Sequence, residues 1–154
     1  MIRIVLAEDQ RMMLGALGSL LDLEDDLEVV GMAPNGEEAI RLVEELNPDV
    51  CIMDIEMPVK SGLDAAEALK DHPCKTIILT TFARSGYFER ARKAGVSGYL
   101  LKDSPSEELG TSIRLHLLRK QERRLRKKSR NQLQERLEVI AFASRYRQDL
   151  VESV

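Results

Sequence analysis

Asp49-Val50-Cys51-Ile52-Met53-Asp54-Ile55-Glu56-Met57-Pro58 is the stretch that decides the fold. Four apolar residues lead directly into the carboxylate of Asp54, and Pro58 then favours a turn. A short, continuously apolar run is typical of a strand that is buried on both faces, as in parallel sheets. Asp54 would then lie at the carboxyl end of that strand, where open α/β sheets bind ligands. The alternative is that Asp54 only caps the following turn.

Strand-like and helix-like stretches alternate on both sides of this run. The predicted strands are Ile2–Ala7, Leu27–Ala33, the run before Asp54, Thr76–Thr80 and Val96–Leu101. The predicted helices follow Gln10, cover Glu37–Leu46, Leu63–Lys70 and Ser85–Ala94, and begin again at Ser104 and Pro105. Five strands alternating with five helices predict an α/β fold, a (βα)5 doubly wound, five-stranded parallel sheet of the flavodoxin-like class.

Apolar spacing predicts which helix faces are buried. In the first helix the expected inward residues are Met13, Leu14, Leu17, Leu20 and Leu21. Met12, Ala16 and Leu23 lie off that face and form a second stripe, which indicates contact with a partner. In the fourth helix, Phe88 and Ala91 are expected to point inward.

Charge divides the chain of 154 residues into two parts. Residues 1–118 carry 12 Lys and Arg against 21 Asp and Glu, a net charge of −9, whereas residues 119–154 carry 11 against 5, a net charge of +6. This shift predicts an acidic domain over residues 1–118 and a separate basic segment over residues 119–154. The second part has no Gly or Pro, so it is expected to be helical. The alternatives are a solvated tail, a segment that binds nucleic-acid phosphates, an oligomerisation helix or an altered linker.

Composition also narrows the class of protein. No apolar run approaches the ~20 residues that span a bilayer, so no membrane insertion is expected. The chain starts directly with a strand-like run, which leaves no room for a signal peptide. Cys51 lies inside an apolar run, and with Cys74 as the only other cysteine the pattern is typical of core thiols in a reduced compartment. We therefore expect a cytoplasmic protein.

Polar residues that can do chemistry end four of the five predicted strands. They are Glu8 and Asp9, Asp54, Thr80 and Thr81, and Lys102. The ends of parallel strands share one edge, so these residues should converge on one cleft. Clustered carboxylates are the usual ligands of Mg²⁺, and a carboxylate such as Asp54 can form an aspartyl-phosphate. Lys102 and Thr80 would then contact the phosphoryl oxygens.

Three segments resemble the response-regulator receiver domain, a family with the CheY-like fold, and within it the NarL/FixJ subfamily. They are Ala7-Glu8-Asp9-Gln10, Met53-Asp54-Ile55-Glu56-Met57-Pro58 and Gly98-Tyr99-Leu100-Leu101-Lys102-Asp103. The resemblance implies that Asp54 is the phospho-acceptor and that Mg²⁺ binds Glu8, Asp9, Asp54 and the backbone carbonyl of Glu56. It also implies that Thr80 and Tyr99 act as switch residues and that Lys102 binds the phosphoryl group.

Family resemblance also implies partners. A sensor histidine kinase, here of the DesK-like type that controls membrane-lipid fluidity, would phosphorylate Asp54. Phosphorylation would switch the surface around the fourth helix and favour a homodimer, with Met12, Ala16 and Leu23 as the candidate dimer face. Regulators of this subfamily control transcription through a helix-turn-helix domain. Residues 119–154 do not resemble one, so DNA binding would need an output domain that this sequence lacks.

Two other readings remain open. One is a stand-alone receiver that serves only as a protein-interaction module. The other is a Mg²⁺-dependent phosphatase with an aspartyl nucleophile, which would need a general acid two residues after Asp54. Glu56 followed by Met57-Pro58 does not fit that pattern, so we expect a signalling domain and not an enzyme.

Overall fold

A computed structural model describes residues 1–81, 84–102 and 109–117 of the chain. The strands are β1 (Ile2–Ala7), β2 (Leu27–Ala33), β3 (Val50–Met53), β4 (Lys75–Thr80) and β5 (Gly98–Leu101). The helices are α1 (Arg11–Asp22), α2 (Gly36–Leu46), α3 (Gly62–Ala68) and α4 (Tyr87–Lys93), and residues 109–117 are helical as well.

All five strands run parallel in one sheet, in the order β2-β1-β3-β4-β5. The central strand β3, which leads into Asp54, is buried throughout because it has a neighbouring strand on each side and helices on both faces. The chain leaves β1 towards one edge of the sheet and leaves β3 towards the other. Ligands of open α/β sheets bind at such a reversal of strand order. The predicted (βα)5 fold is confirmed.

Helices cover both faces of the sheet. One apolar core joins the sheet to α2, α3 and α4, through buried residues such as Val43, Leu63 and Ala91. A second core joins the other face to α1 and to residues 109–117, through Leu21 and Ile113. Side-chain caps fix two helix starts: Asn35 accepts a hydrogen bond from Glu38 N at α2, and Ser61 accepts one from Asp64 N at α3.

Two predicted apolar faces are wrong in part. Phe88 is 59% exposed, whereas Ala91 is buried as predicted. Tyr87, one turn before Ala91, packs against the core instead, and α4 begins at Tyr87 and not at the predicted Ser85. In α1, Met13 and Leu20 are exposed, and the buried Gly18 takes a place on the inward face.

Several predictions concern residues beyond those described. The helix start at Ser104 and Pro105 and the helical form of residues 119–154 lie outside the described ranges. The chain divides after Leu117. The predicted domains, over residues 1–118 and 119–154, and the nature of the second part stay predictions. None of the described helices has the length and apolar character needed to cross a bilayer. The cytoplasmic location also stays a prediction.

Candidate functional site

The predicted strand-end residues surround one pocket at the carboxyl edge of the sheet. Its volume is about 220 Å³. It is lined by Asp9, Gln10, Asp54, Glu56, Thr80, Thr81 and Lys102. The lining residues come from the ends of β1, β3, β4 and β5, as the parallel topology requires.

Lys102 joins the two buried carboxylates of the site. Its Nζ lies 2.6 Å from Glu8 Oε2 and 2.9 Å from Asp54 Oδ2. The Glu8 side chain is only 3% exposed, so it faces Lys102 from beneath the pocket and does not line its wall. The carboxylates of Glu8 and Asp54, held on the same ammonium group, would repel each other without it, and the positive charge of Lys102 offsets that repulsion.

Burial and charge shift the ionisation of this cluster. Burial raises the pKa of Glu8 above its ordinary value, and the nearby charge of Asp54 raises it further, against the opposing effect of Lys102. Burial alone would lower the pKa of Lys102, but its contacts with Glu8 and Asp54 raise it overall. Lys102 therefore remains protonated and serves as the fixed positive charge of the site.

Backbone packing holds Asp54 in place. Its amide donates to Ala7 O over 3.0 Å, and its Oδ1 accepts from Ile55 N over 2.7 Å. The turn that follows brings Gly62 against the same backbone, where an added Cβ would lie 1.9 Å from Asp54 O. Only glycine fits there, so the loop between β3 and α3 closes tightly on the predicted acceptor.

The acidic residues fit a divalent cation. Ligand oxygens of Glu8, Asp9 and Asp54 all lie within 4.8 Å of one another. Hard carboxylate oxygens are the donors that Mg²⁺ prefers, and the exposed Asp9 gives access from solvent. The donor set therefore fits the predicted metal, although the role of each residue as a ligand, including the Glu56 carbonyl, stays a prediction.

The two predicted switch residues lie on neighbouring strands. Thr80 is buried and lines the pocket. Tyr99 is partly buried in β5, and its ring meets the edge of Phe88 with 5.6 Å between ring centroids. The Tyr99 hydroxyl is buried, and no described residue gives it a hydrogen bond. Burial, and less strongly the nearby Tyr87, raises the pKa of Tyr99.

Sequence reasoning missed the contacts of the Glu56 side chain. Its Oε1 accepts a hydrogen bond from Tyr87 Oη over 3.3 Å and lies 3.6 Å from Arg84. Glu56 was predicted for its backbone carbonyl alone. No sequence signal links it to a helix start about thirty residues later. Gln10 was also missed, although its place directly after Asp9 could have indicated it.

The candidate dimer face lies on the solvent side of α1. Met12 is 90% exposed and Leu23 is 79% exposed, and Ala16 between them is exposed as well. All three point away from the core that buries Leu21. They are therefore free to contact a partner, and their role in a dimer stays a prediction.

Comparisons with known proteins agree with this geometry. The family model described as "Response regulator receiver domain" matches residues 4–114. The transcriptional regulatory protein DesR of Bacillus subtilis (strain 168) is 70% identical over 114 residues, which cover 74% of this chain and 57% of DesR. This chain thus spans less than two thirds of that relative.

Two further proteins extend the comparison. The transcriptional regulatory protein PdtaR of Mycobacterium tuberculosis (strain ATCC 25618 / H37Rv) is 35% identical over 144 residues, which cover 93% of this chain and 70% of PdtaR. That similarity therefore continues beyond residue 118. A crystal structure of a DNA-binding response regulator of the LuxR family from Staphylococcus aureus has a TM-score of 0.73 and 41% identity, and covers 75% of this chain and 98% of that chain.

Proposed function

Because the chain belongs to the response regulator receiver family, we propose that it accepts a phosphoryl group on Asp54 from a sensor histidine kinase. One observation carries the proposal: Asp54 lines an open pocket and shares Lys102 with a buried second carboxylate. A receiver domain is a signalling domain, in which phosphorylation changes the state of the protein.

The transfer exchanges one bond for another at phosphorus. An oxygen of the Asp54 carboxylate attacks the phosphorus of a phosphohistidine, and the nitrogen–phosphorus bond breaks as the imidazole leaves with its electron pair. Lys102 then holds the phosphoryl oxygens with its ammonium group, and Thr80 donates a hydroxyl hydrogen bond. Glu8, Asp9, Asp54 and the carbonyl of Glu56 would hold Mg²⁺, which when bound neutralises the negative charge of the acids and of the phosphoryl group.

Phosphorylation switches the surface of the domain. The phosphoryl group adds roughly −1.5 to −2 charges, which Lys102 and Thr80 can reach. Thr80 and Tyr99 then change together, and the chain forms a homodimer through Met12 and Ala16 of α1 and Leu23 directly after it. The exposure of Met12 and Leu23 supports this face, because neighbouring exposed apolar side chains mark interaction surfaces.

The output is control of transcription by a longer regulator of the DesR type. The 70% identity to DesR supports a DesK-like kinase as the partner and the membrane-lipid fluidity response as the setting. DNA is bound through an output domain beyond this chain. Residues 119–154 are a basic extension of the regulator and not an altered linker, which the similarity to PdtaR beyond residue 118 supports.

A phosphodonor tests the acceptor directly. After incubation with acetyl phosphate and Mg²⁺, the intact chain should gain about 80 Da, the mass of one phosphoryl mark. Asp54→Ala should abolish the gain, and Asp71→Ala, a change at an exposed aspartate, should leave it. A wild-type chain without the adduct, or an Asp54→Ala chain that keeps it, would refute the proposal.

Sedimentation tests the dimer. The wild-type chain should be a monomer without the phosphodonor and a dimer with it. Met12→Ser combined with Leu23→Ser should prevent the dimer while the mass gain on Asp54 persists, because both side chains are exposed and distant from the core. A dimer that survives both changes would place the interface elsewhere on the molecule.

A further inference from the structure

The first turn of α4 contacts both the pocket and Tyr99 through two consecutive residues. Tyr87 Oη donates a hydrogen bond to Glu56 Oε1, and Glu56 lines the same pocket as Asp54. Phe88 meets the ring of Tyr99 edge-on, at an interplanar angle of 79°. One helical turn thus joins the pocket to the ring of Tyr99, whose hydroxyl is buried.

Polar contacts tie both halves of α4 to the rest of the domain, and Arg90 in the second half pairs with Asp64 and Glu67 of α3. Ala91 is the one fully buried residue of this seven-residue helix, and Gly86 at its start supplies no side-chain cap. Short helices with little buried apolar area shift at low cost. Besides Tyr87, Arg84 reaches Glu56 at 3.6 Å, and its guanidinium lies 5.9 Å from the centroid of the Tyr87 ring. Glu56 is therefore the anchor for the start of α4.

We propose that the Glu56–Tyr87 hydrogen bond holds the start of α4 in its resting position and that an anion on Asp54 releases that end of the helix. The inference rests on the proposed function. A phosphoryl group adds negative charge to the pocket that Glu56 lines, so the two anions repel and the Glu56 carboxylate is displaced from Tyr87.

Release of Tyr87 frees its neighbour in the helix as well. Phe88 then withdraws from the edge of Tyr99, and the Tyr99 ring gains room to turn. The resting position leaves the Tyr99 hydroxyl buried without a hydrogen bond from any described residue, which costs free energy that a new position can recover. Tyr87 and Phe88 act as positioning residues, and Glu56 connects them to the state of Asp54.

Beryllofluoride with Mg²⁺ is the probe, because it imitates a phosphoryl group on a carboxylate. The full chain, labelled with ¹³C at its three tyrosine rings, is titrated and followed by NMR, and single Tyr→Phe variants assign the signals. In the wild type, the Tyr99 signal should move on saturation. In the Tyr87→Phe chain, the Tyr99 signal should already lie part of the way to that position before any probe is added. The probe should also bind this chain about three-fold more tightly than the wild type, because one hydrogen bond of the resting state is gone.

A double-mutant cycle separates this contact from general effects. Glu56→Gln should also tighten binding, and its effect should be smaller in the Tyr87→Phe background than alone, because both changes remove the same contact. Glu89→Gln is the control: it breaks the Glu89–Arg92 pair of the same helix without touching Glu56, and should leave the affinity and the Tyr99 signal unchanged.

Three results would overturn the inference. The first is a Tyr87→Phe chain with the affinity and the Tyr99 signals of the wild type. The second is full additivity of Glu56→Gln and Tyr87→Phe. The third is a Glu89→Gln chain that reproduces the changes of Tyr87→Phe. A wild-type chain that takes up no beryllofluoride would refute the proposed function, and the inference with it.

Discussion

Replacing Lys102 with methionine removes the cation that two carboxylates share. The side chains of Lys102 and Asp54 are each 11% exposed, and that of Glu8 is 3% exposed. Removing one partner of a buried ion pair costs about 3–5 kcal/mol, because the remaining charge is left without compensation. Since the pocket admits solvent beside the exposed Asp9, we expect the lower end, a loss of about 3 kcal/mol in the free energy of unfolding at pH 7.

Mg²⁺ should restore part of that loss. A ligand at ten times its Kd stabilises a folded protein by about 1.4 kcal/mol. The Lys102→Met variant should gain more from a given Mg²⁺ concentration than the wild type does, because the ammonium group no longer competes for Glu8 and Asp54.

Urea unfolding at pH 7, with and without Mg²⁺, measures both effects. Lys70→Met is the matched control, since this lysine is exposed and its replacement should change the free energy of unfolding by no more than about 0.5 kcal/mol. A Lys102→Met loss below about 1 kcal/mol would refute the ionic account of the cluster. So would a gain from Mg²⁺ equal to that of the wild type.

Three further changes test the loops around the site and the far end of the sheet. Gly62→Ala should destabilise the chain by about 3 kcal/mol, because the added Cβ meets a backbone oxygen. Gly15→Ala in α1, where the added Cβ meets open space, should stabilise the chain by about 0.5–1 kcal/mol. Thermal unfolding compares the two variants. Val59 has a φ of 66°, which β-branched residues avoid, so Val59→Asn should raise the free energy of unfolding in urea by about 1 kcal/mol, and an unchanged value would contradict the assigned strain. Hydrogen bonds from Arg114 lower the pKa of Asp26 in the folded chain. The pair therefore stabilises the fold at any pH above the pKa that Asp26 has in the unfolded chain. This stabilisation is lost as the pH falls through the lower pKa of the folded chain. Arg114→Gln should therefore destabilise at pH 7 and match the wild type at low pH in urea unfolding, and a difference that persists in acid would exclude this pair as its cause.

The sheet and most of the site were predictable from the sequence because both depend on local pattern. A buried strand is recognisable as a continuous apolar run in the sequence. In a parallel sheet the carboxyl ends of the strands all lie at the same edge of the sheet, whatever the details of side-chain packing. Asp9, Asp54 and Lys102 were therefore found from their positions at strand ends, and all three line the pocket.

Pairings between side chains were not predictable, because they depend on the rotation of helices and on distances across the fold. Sequence reasoning expected Glu8 to bind a metal, and did not expect it to be buried against Lys102. It also assigned Phe88 to the core, because spacings of three and four residues from Ala91 both fit one helix face and the sequence does not distinguish Phe88 from Tyr87. Tyr87 and Phe88 are neighbours at the edge of the face that holds Ala91, and the rotation of the helix against the sheet decides which of them packs inward.

The bond between Glu8 and Lys102 joins residues that are 94 positions apart. During synthesis on a ribosome, β1 and β3 emerge before Lys102, so a partial chain holds Glu8 and Asp54 but not the cation that they share. A nascent chain that has not yet added β5 therefore lacks Lys102 and has no completed pocket. The charge balance of the site is reached only when the last strand of the sheet is in place, so the order of synthesis places completion of the pocket near the end of folding of residues 1–117.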